Sequence, residues 1–284
     1  MKRILVATDF STRSDRATRR ATLLAKRFHA DLILAHVLDD DQPARKLKAE
    51  RREAEDLLSQ LSLSIDRDDG LSCTYRLAEG EAFLGILQTA RDAQADLIVT
   101  GPHRRQLLQD VFVGTTAERI IRNSDIPVLM ANGAPAGQYR KVMLATDLTP
   151  ASKDVARQFQ RLLAPHLHAS EIMYAFPAPA QSQMRRAMLD EAAVGDYVAD
   201  EEDTAREGLA QFMREADVLN AKPVLRIHET KAAYTILAAA AASNIDLLAV
   251  GVRSRTGLKK LLLGSTAESI LASAQIDILA IPPS

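Results

Sequence analysis

The chain has 284 residues, 47% of them hydrophobic, which is enough to bury a sizeable core in one large domain or two of ordinary length. Lys and Arg number 36 against 37 Asp and Glu, so no net field draws the chain to nucleic acid or to an acidic membrane surface. A lone cysteine, Cys73, excludes an intrachain disulfide framework and fits a reducing compartment, with the cytoplasm as the expected location.

At the N-terminus, MKRILVATDF starts basic, but its apolar run stops at Asp9; it is too brief for a signal peptide or a membrane span and predicts a first strand over 4–7. Helical spacing over 12–28 follows, then a strand over 32–37, a helix over 45–63 and a weaker strand over 73–77. A helix over 82–94, a strand over 97–100, a helix over 115–123 and a strand over 126–130 complete the first half. The strands are continuous apolar runs rather than alternating ones, which predicts burial on both faces. The order βαβαβαβαβ predicts an α/β fold: a doubly wound, five-stranded parallel sheet with right-handed crossovers and helices on both faces. Ligands of such sheets sit beyond the carboxyl ends of the strands, where strand order reverses.

The second half repeats the first. RILVATD from Arg3 recurs as KVMLATD from Lys141, and HADLILAHV from His29 is paired with HASEIMYAF from His168. ADLIVTG from Ala95 recurs as IDLLAVG from Ile245, and GPHRRQLLQDVFVGTTAERI from Gly101 as GVRSRTGLKKLLLGSTAESI from Gly251. The offset is 138 between Arg3 and Lys141 and 150 between Gly101 and Gly251, so about a dozen extra residues lie in mid-domain. The polar stretch 177–213, with Asp200, Glu201, Glu202 and Asp203, is where they belong; it reads as a partly helical insertion that covers an edge, forms a lid or meets a partner. The Gly-, Pro- and Ala-rich run NGAPAGQ, 132–138, reads as a linker, which divides the chain into 1–132, a linker at 133–138, and 139–284. The Ala-rich run 234–242 has helical character and falls short of the roughly 20 residues that cross a bilayer, so no membrane partner is expected.

The sharpest motif is a spacing found twice: Gly101, Arg104, Gly114 and Thr115 with Thr116, then Gly251, Ser254, Gly264 and Ser265 with Thr266. A glycine-rich turn that opens a helix lets backbone N–H groups reach phosphate oxygens, and the helix N-terminus favours negative charge. The Thr115 and Ser265 hydroxyls serve either as helix N-caps or as phosphate donors, two jobs that compete for one oxygen. Asp9 and Asp147 close the first strand of each half and read as caps of the next helix or as ligand acceptors; Ser11 and Thr149 already stand at N-cap positions, which leaves each carboxylate freer for a ligand.

These motifs resemble the universal stress protein family across essentially both halves, in a tandem two-domain arrangement. The resemblance implies an adenine nucleotide alpha hydrolase-like fold, and in its ATP-binding members glycine stands at all three motif positions. It implies ATP, with Mg, as ligand; Asp9 and Asp147 as partners of ribose hydroxyls; Val37 and Phe176 as residues flanking the base, each of which is equally readable as core. The sequence departs from that pattern at Arg104 and Ser254, where both side chains add bulk in place of the middle glycine. Ser254 is the milder change, so the second half is the favoured site. Arg104, with His103 and Arg105, reads as a phosphate clamp or as a solvated charged loop, and Arg253, Arg255, Lys259 and Lys260 pose the same choice. The resemblance also implies pairing of the final strands of two domains, which a tandem satisfies internally as a pseudo-dimer, with a homodimer as a further option.

Catalytic patterns are missing from the sequence. No His pair or Cys–His spacing suits zinc, no G-x-S-x-G elbow is present, and no Walker-type lysine follows a phosphate loop. His166 and His168 read as partners of a helix C-terminus, and Cys73 as a buried structural thiol. Three readings follow: a stress-response regulator that holds an adenine nucleotide without rapid turnover; a scaffold of the same fold that binds none; and a nucleotide hydrolase with at most slow turnover, which lacks an identifiable base.

Overall fold

A computed structural model describes residues 1–102, 115–163, 169–252 and 263–283. Arg104, Gly114, Ser254, His166, His168 and the charged residues 103–105, 253, 255, 259 and 260 fall outside that set. The chain forms two compact units, one built on Met1–Gln138 together with Gln275–Pro282, the other on Tyr139 onward through Ala274.

In the first unit, β1 (Arg3–Ala7), β2 (Asp31–Leu38), β3 (Cys73–Glu79), β4 (Leu97–Thr100) and β5 (Val128–Met130) lie in the order β3-β2-β1-β4-β5, all parallel. The helices α1 (Thr12–Phe28), α2 (Ala44–Ser64), α3 (Ala82–Asp92) and α4 (Thr116–Asn123) connect them, and α2 runs on into a π-helical turn over Ile65–Asp69. Ile4, Leu5 and Val6 on β1 are fully buried, as continuous apolar strands covered on both faces require. Each such side chain contributes about 1.5–3 kcal/mol when withdrawn from water.

α1 begins where Ser11 turns to an extended backbone and accepts from the Ser14 amide, and it stops at His29 in the left-handed conformation (φ 51°). Its buried stripe, Ala17, Ala21, Leu24 and Ala25, is mostly alanine. Small side chains there let the helix axis approach the sheet closely, and the consequence is felt at Gly101, immediately after β4. A Cβ on Gly101 would lie 2.9 Å from the backbone oxygen of Arg13, so packing alone demands glycine at this strand end.

The C-terminal strand β10 (Asp277–Ile281) belongs to the first unit. It runs antiparallel to β5, with Ile278 opposite Met130 and Ala280 opposite Val128, and so pairs the backbone groups along that side of β5. A buried ion pair holds it: Arg20 Nε lies 2.8 Å from Asp277 Oδ2, with both side chains nearly inaccessible. Gly133 N donates to Asp277 Oδ1 (2.7 Å) and an Arg20 Nη to Gly137 O (2.6 Å), which ties the chain at both glycines to the same carboxylate and guanidinium.

The second unit repeats the scheme with β6 (Lys141–Thr146), β7 (Ala169–Pro177), β8 (Lys222–His228) and β9 (Leu247–Gly251) in the order β9-β6-β7-β8, again parallel. Its helices are α5 (Pro150–Leu163), α6 (Gln181–Arg186), α7 (Glu191–Ala216), α8 (Ala232–Ala242) and α9 (Ser265–Ser273). The extra residues of this half become α6 and a long α7. The latter is fastened to α5 by a Lys153–Glu215 ion pair and by an Arg157 Nη donating to Glu215 O at 2.8 Å. Both units start their first strand with one device. Asp96 Oδ2 accepts from the Lys2 and Arg3 amides, and Asp246 Oδ2 from those of Arg140 and Lys141. No helix among the described residues is long and apolar enough to cross a membrane.

Candidate functional site

In each unit strand order reverses between the first strand and its neighbour, β1 beside β4 and β6 beside β9, and a crevice opens beyond their carboxyl ends. The first crevice is lined by Ala7, Thr8, Asp9, Arg13, Ser14, His36, Val37, Gly101, Thr115 and Thr116, among others. The second is lined by the matching set: Ala145, Thr146, Asp147, Ala151, Ser152, Tyr174, Ala175, Gly251, Ser265 and Thr266, with Gly264 beside them. The structure thus gathers Asp9, Val37, Gly101, Thr115 and Thr116 into one cavity, and Asp147, Gly251, Gly264, Ser265 and Thr266 into the other.

Phe176 is not among them. It is buried in the core at 3% exposure, while Tyr174 and Ala175 line the cavity. The sheet register explains the correction. Arg3 pairs with Asp31 and Lys141 with Ala169, so the offset between halves is still 138 along the second strand. Pairing HADLILAHV with HASEIMYAF residue for residue is one position out of step, and a slip of one turns every side chain to the opposite face. Val37 corresponds to Ala175, and His36 to Tyr174. Val37 itself lies against α3, where a Cβ on Gly85 would meet its methyl groups at 2.8 Å.

The turn after the first strand is strained in both units. Phe10 (φ 58°) and Leu148 (φ 59°) adopt the left-handed region that side chains other than glycine seldom occupy. The buried hydroxyls of Thr8 and Thr146 accept from their amides at 3.1 Å and hold the conformation. Such strain costs on the order of 1 kcal/mol or more and concentrates at ligand sites, because the surrounding structure must impose it.

The turn aims the aspartates at α1 and α5 as well as at the crevice. Asp9 Oδ1 accepts from the Ser11 amide (3.1 Å) and hydroxyl (2.5 Å). Asp147 Oδ1 accepts from the Thr149 amide (3.2 Å) and hydroxyl (2.7 Å) and from the Ser152 hydroxyl (2.5 Å). The N-cap residues therefore do not relieve the carboxylates of local duty, as their positions in the sequence suggest; they draw on one oxygen of each. Burial by itself would raise the Asp9 carboxyl. The Ser11 hydroxyl and amide, Ser14 and the Arg13 charge outweigh it and hold the group below its ordinary value of 3.8. On the second strand of the other unit, burial, with the Asp147 and Glu201 carboxylates, pushes the Tyr174 phenol up.

The two helix N-termini at the crevices differ. In α4 the cap is Thr115, whose hydroxyl accepts from the Glu118 amide at 3.2 Å, so this oxygen does the capping. In α9 the cap falls one residue earlier, on Gly264, which has no side chain to offer, and Ser265 is the first helical residue. The competition between capping and ligand donation is thus resolved differently in the two halves. Gly251 matches Gly101 in position, but its added Cβ would meet a Val155 methyl at 3.2 Å, a softer constraint than backbone.

Two features had little signal in the sequence. Arg13 and His36 lie in runs without a motif, and only the sheet register brings them to the crevice. Cys73 lies at the sheet margin on β3 and is partly exposed, not fully buried; burial still raises its thiol, which leaves it unactivated. No group of His, Cys, Asp or Glu suited to a metal ion occurs among the described residues.

Comparison with known proteins agrees with this architecture. The profile of the universal stress protein family matches residues 1–132 and again 138–282. A universal stress protein of Mycolicibacterium smegmatis is 23% identical over 99% of this chain and 97% of its own length. One from Methanocaldococcus jannaschii is 30% identical over 45% of this chain and 81% of its own. The crystal structure of a universal stress protein from Archaeoglobus fulgidus superposes with a TM-score of 0.71 at 16% identity, covering 99% of this chain and 98% of that one, which speaks to the fold. With two matches end to end along one polypeptide, the chain belongs to the universal stress protein family, a stress-response family, and carries two of its domains in tandem.

Proposed function

We propose that this protein binds an adenine nucleotide, ATP with Mg being the leading candidate, in its strand-end crevices and acts as a stress-response regulator through the bound state. The supporting observation is that both halves bring together the same positions: a strand-end aspartate in a strained turn, a strand-end glycine, and the N-terminus of α4 or α9. A helix N-terminus favours phosphate, and a strand-end carboxylate is an acceptor of the kind ribose hydroxyls can use. The second crevice is the better candidate, because Gly264 leaves the start of α9 bare and Ser265 is not its cap.

At the first crevice the contacts of Asp9 weigh against its use as a general base. A general base needs a pKa near the working pH, and the contacts around Asp9 move it the other way. Binding without fast hydrolysis makes the nucleotide a state to be read rather than a fuel. The protein is to be heat-denatured and the supernatant analysed by mass spectrometry, with calorimetric titration of the emptied protein by ATP. Nucleotide in the supernatant, or saturable binding, is the expected result. Neither, with the fold intact, would leave a scaffold that binds no nucleotide.

A further inference from the structure

Among the described residues the two crevices are lined by matching positions, and one of those positions differs by a full charge. Arg13, in the first turn of α1, lines the first; 138 residues on, Ala151 takes its place in the second. Arg13 is rooted beside the motif glycine: its backbone oxygen and Cβ lie 2.9 and 3.4 Å from where a Cβ on Gly101 would stand. Its guanidinium meets Asp9 Oδ2 only at 3.7 Å, with side chains 40% and 61% exposed. A pair that long and that exposed is weak, so the guanidinium can turn to a stronger anion at little cost. The neighbouring His36 is already engaged, its Nδ1–H donating to Thr8 O at 2.7 Å and its ring tilted against Phe10.

We infer that Arg13 makes the first crevice more selective for the number of phosphates on its ligand, a contribution that Ala151 does not make in the second. The planar guanidinium pairs two phosphate oxygens at once, and its attraction grows with the charge of the phosphate chain, so a triphosphate gains more from it than a monophosphate. This inference rests on the nucleotide reading and adds to it that the two halves are specialised rather than duplicate sites.

The test is calorimetric titration of the full chain with AMP and with ATP, for the unaltered protein, Arg13→Ala and Ala151→Arg. An Asp147→Ala background weakens the second crevice so that the first is read alone. Both Arg13 and Ala151 lie on the outer first turn of a helix, and far-UV circular dichroism confirms folding. Arg13→Ala is expected to weaken ATP about tenfold and AMP less than about twofold at the first crevice, an effect that added salt diminishes. Ala151→Arg is expected to raise the preference for ATP at the second by a few-fold. An unchanged ATP-to-AMP ratio in Arg13→Ala, an equal loss for both ligands, or a first crevice that binds nothing in the unaltered protein overturns the inference and leaves the second crevice as a nucleotide site. Absence of nucleotide binding at both crevices overturns the functional reading as well.

Discussion

Replacing Asp277 by alanine tests how strongly the C-terminal strand is held by charge. The substitution leaves the Arg20 guanidinium at 7% side-chain exposure and removes the carboxylate 2.8 Å away, along with the acceptor of the Gly133 amide. Breaking a buried pair from one side costs about 3–5 kcal/mol, because the surviving charge has lost its solvent and its partner. For a chain of this size each kcal/mol moves the melting temperature by about 2–4 °C, so the first unit is expected to melt about 6–20 °C lower. Thermal unfolding followed by circular dichroism reads this; the two units need not melt together, and the shift belongs to one transition. The double variant Arg20→Met with Asp277→Leu is the decisive control, since it removes both charges and keeps the volume. It is expected to regain most of the loss. A single variant that loses less than about 1 kcal/mol, or a double variant no better than the single, would refute the claim that the pair is buried and coupled.

The remaining expectations concern caps and titration. Thr115→Ala removes a working N-cap and is expected to cost about 1 kcal/mol in urea unfolding, whereas Ser265→Ala, behind the Gly264 cap, is expected to cost less than about 0.5 kcal/mol while weakening nucleotide binding. Asp217 ends α7 in the left-handed region (φ 57°) and sets a negative charge at the negative end of the helix; Asp217→Gly is expected to stabilise by about 1 kcal/mol, seen as a higher melting temperature. Asp9 has its folded pKa below the unfolded 3.8, so its contribution is complete above that value and disappears as pH falls through the lower folded value. The stability difference between the unaltered protein and Asp9→Asn is therefore expected to be flat above about pH 5 and to shrink below pH 4, and an increase on acidification would contradict the assignment.

Much of this was legible in the residues because a duplicated chain states its pattern twice. Periods of apolar residues placed the helices and strands within a residue or two, and α1 was predicted over the same residues that form it. Asp9, Asp147, Gly101 and Gly251 stand out in the sequence because each sits at a strand end, and the structure places each on a crevice wall. Elements whose function depends on a neighbour in space were not legible. The sequence reads Phe176 as base-flanking or as core, because the similarity of the two second strands is too weak to settle a one-residue slip; the hydrogen-bonded register with β6 places it in the core. The caps at Thr115 and Gly264 differ although their sequences align, because a cap is decided by backbone angles at the helix entrance, not by which residue has a hydroxyl.

Local order, the repeat and the strand-end positions of the aspartates and glycines were thus determined by the amino-acid sequence itself, since each depends on residues close together along the chain. Tertiary structure alone decided that β10 completes the first unit, that Arg20 meets a carboxylate 257 residues away, and that Arg13 lines the first crevice where Ala151 lines the second. Those facts depend on pairings across long loops, where the free energy comes from burying and satisfying specific groups against one another and no periodicity along the chain records the partner.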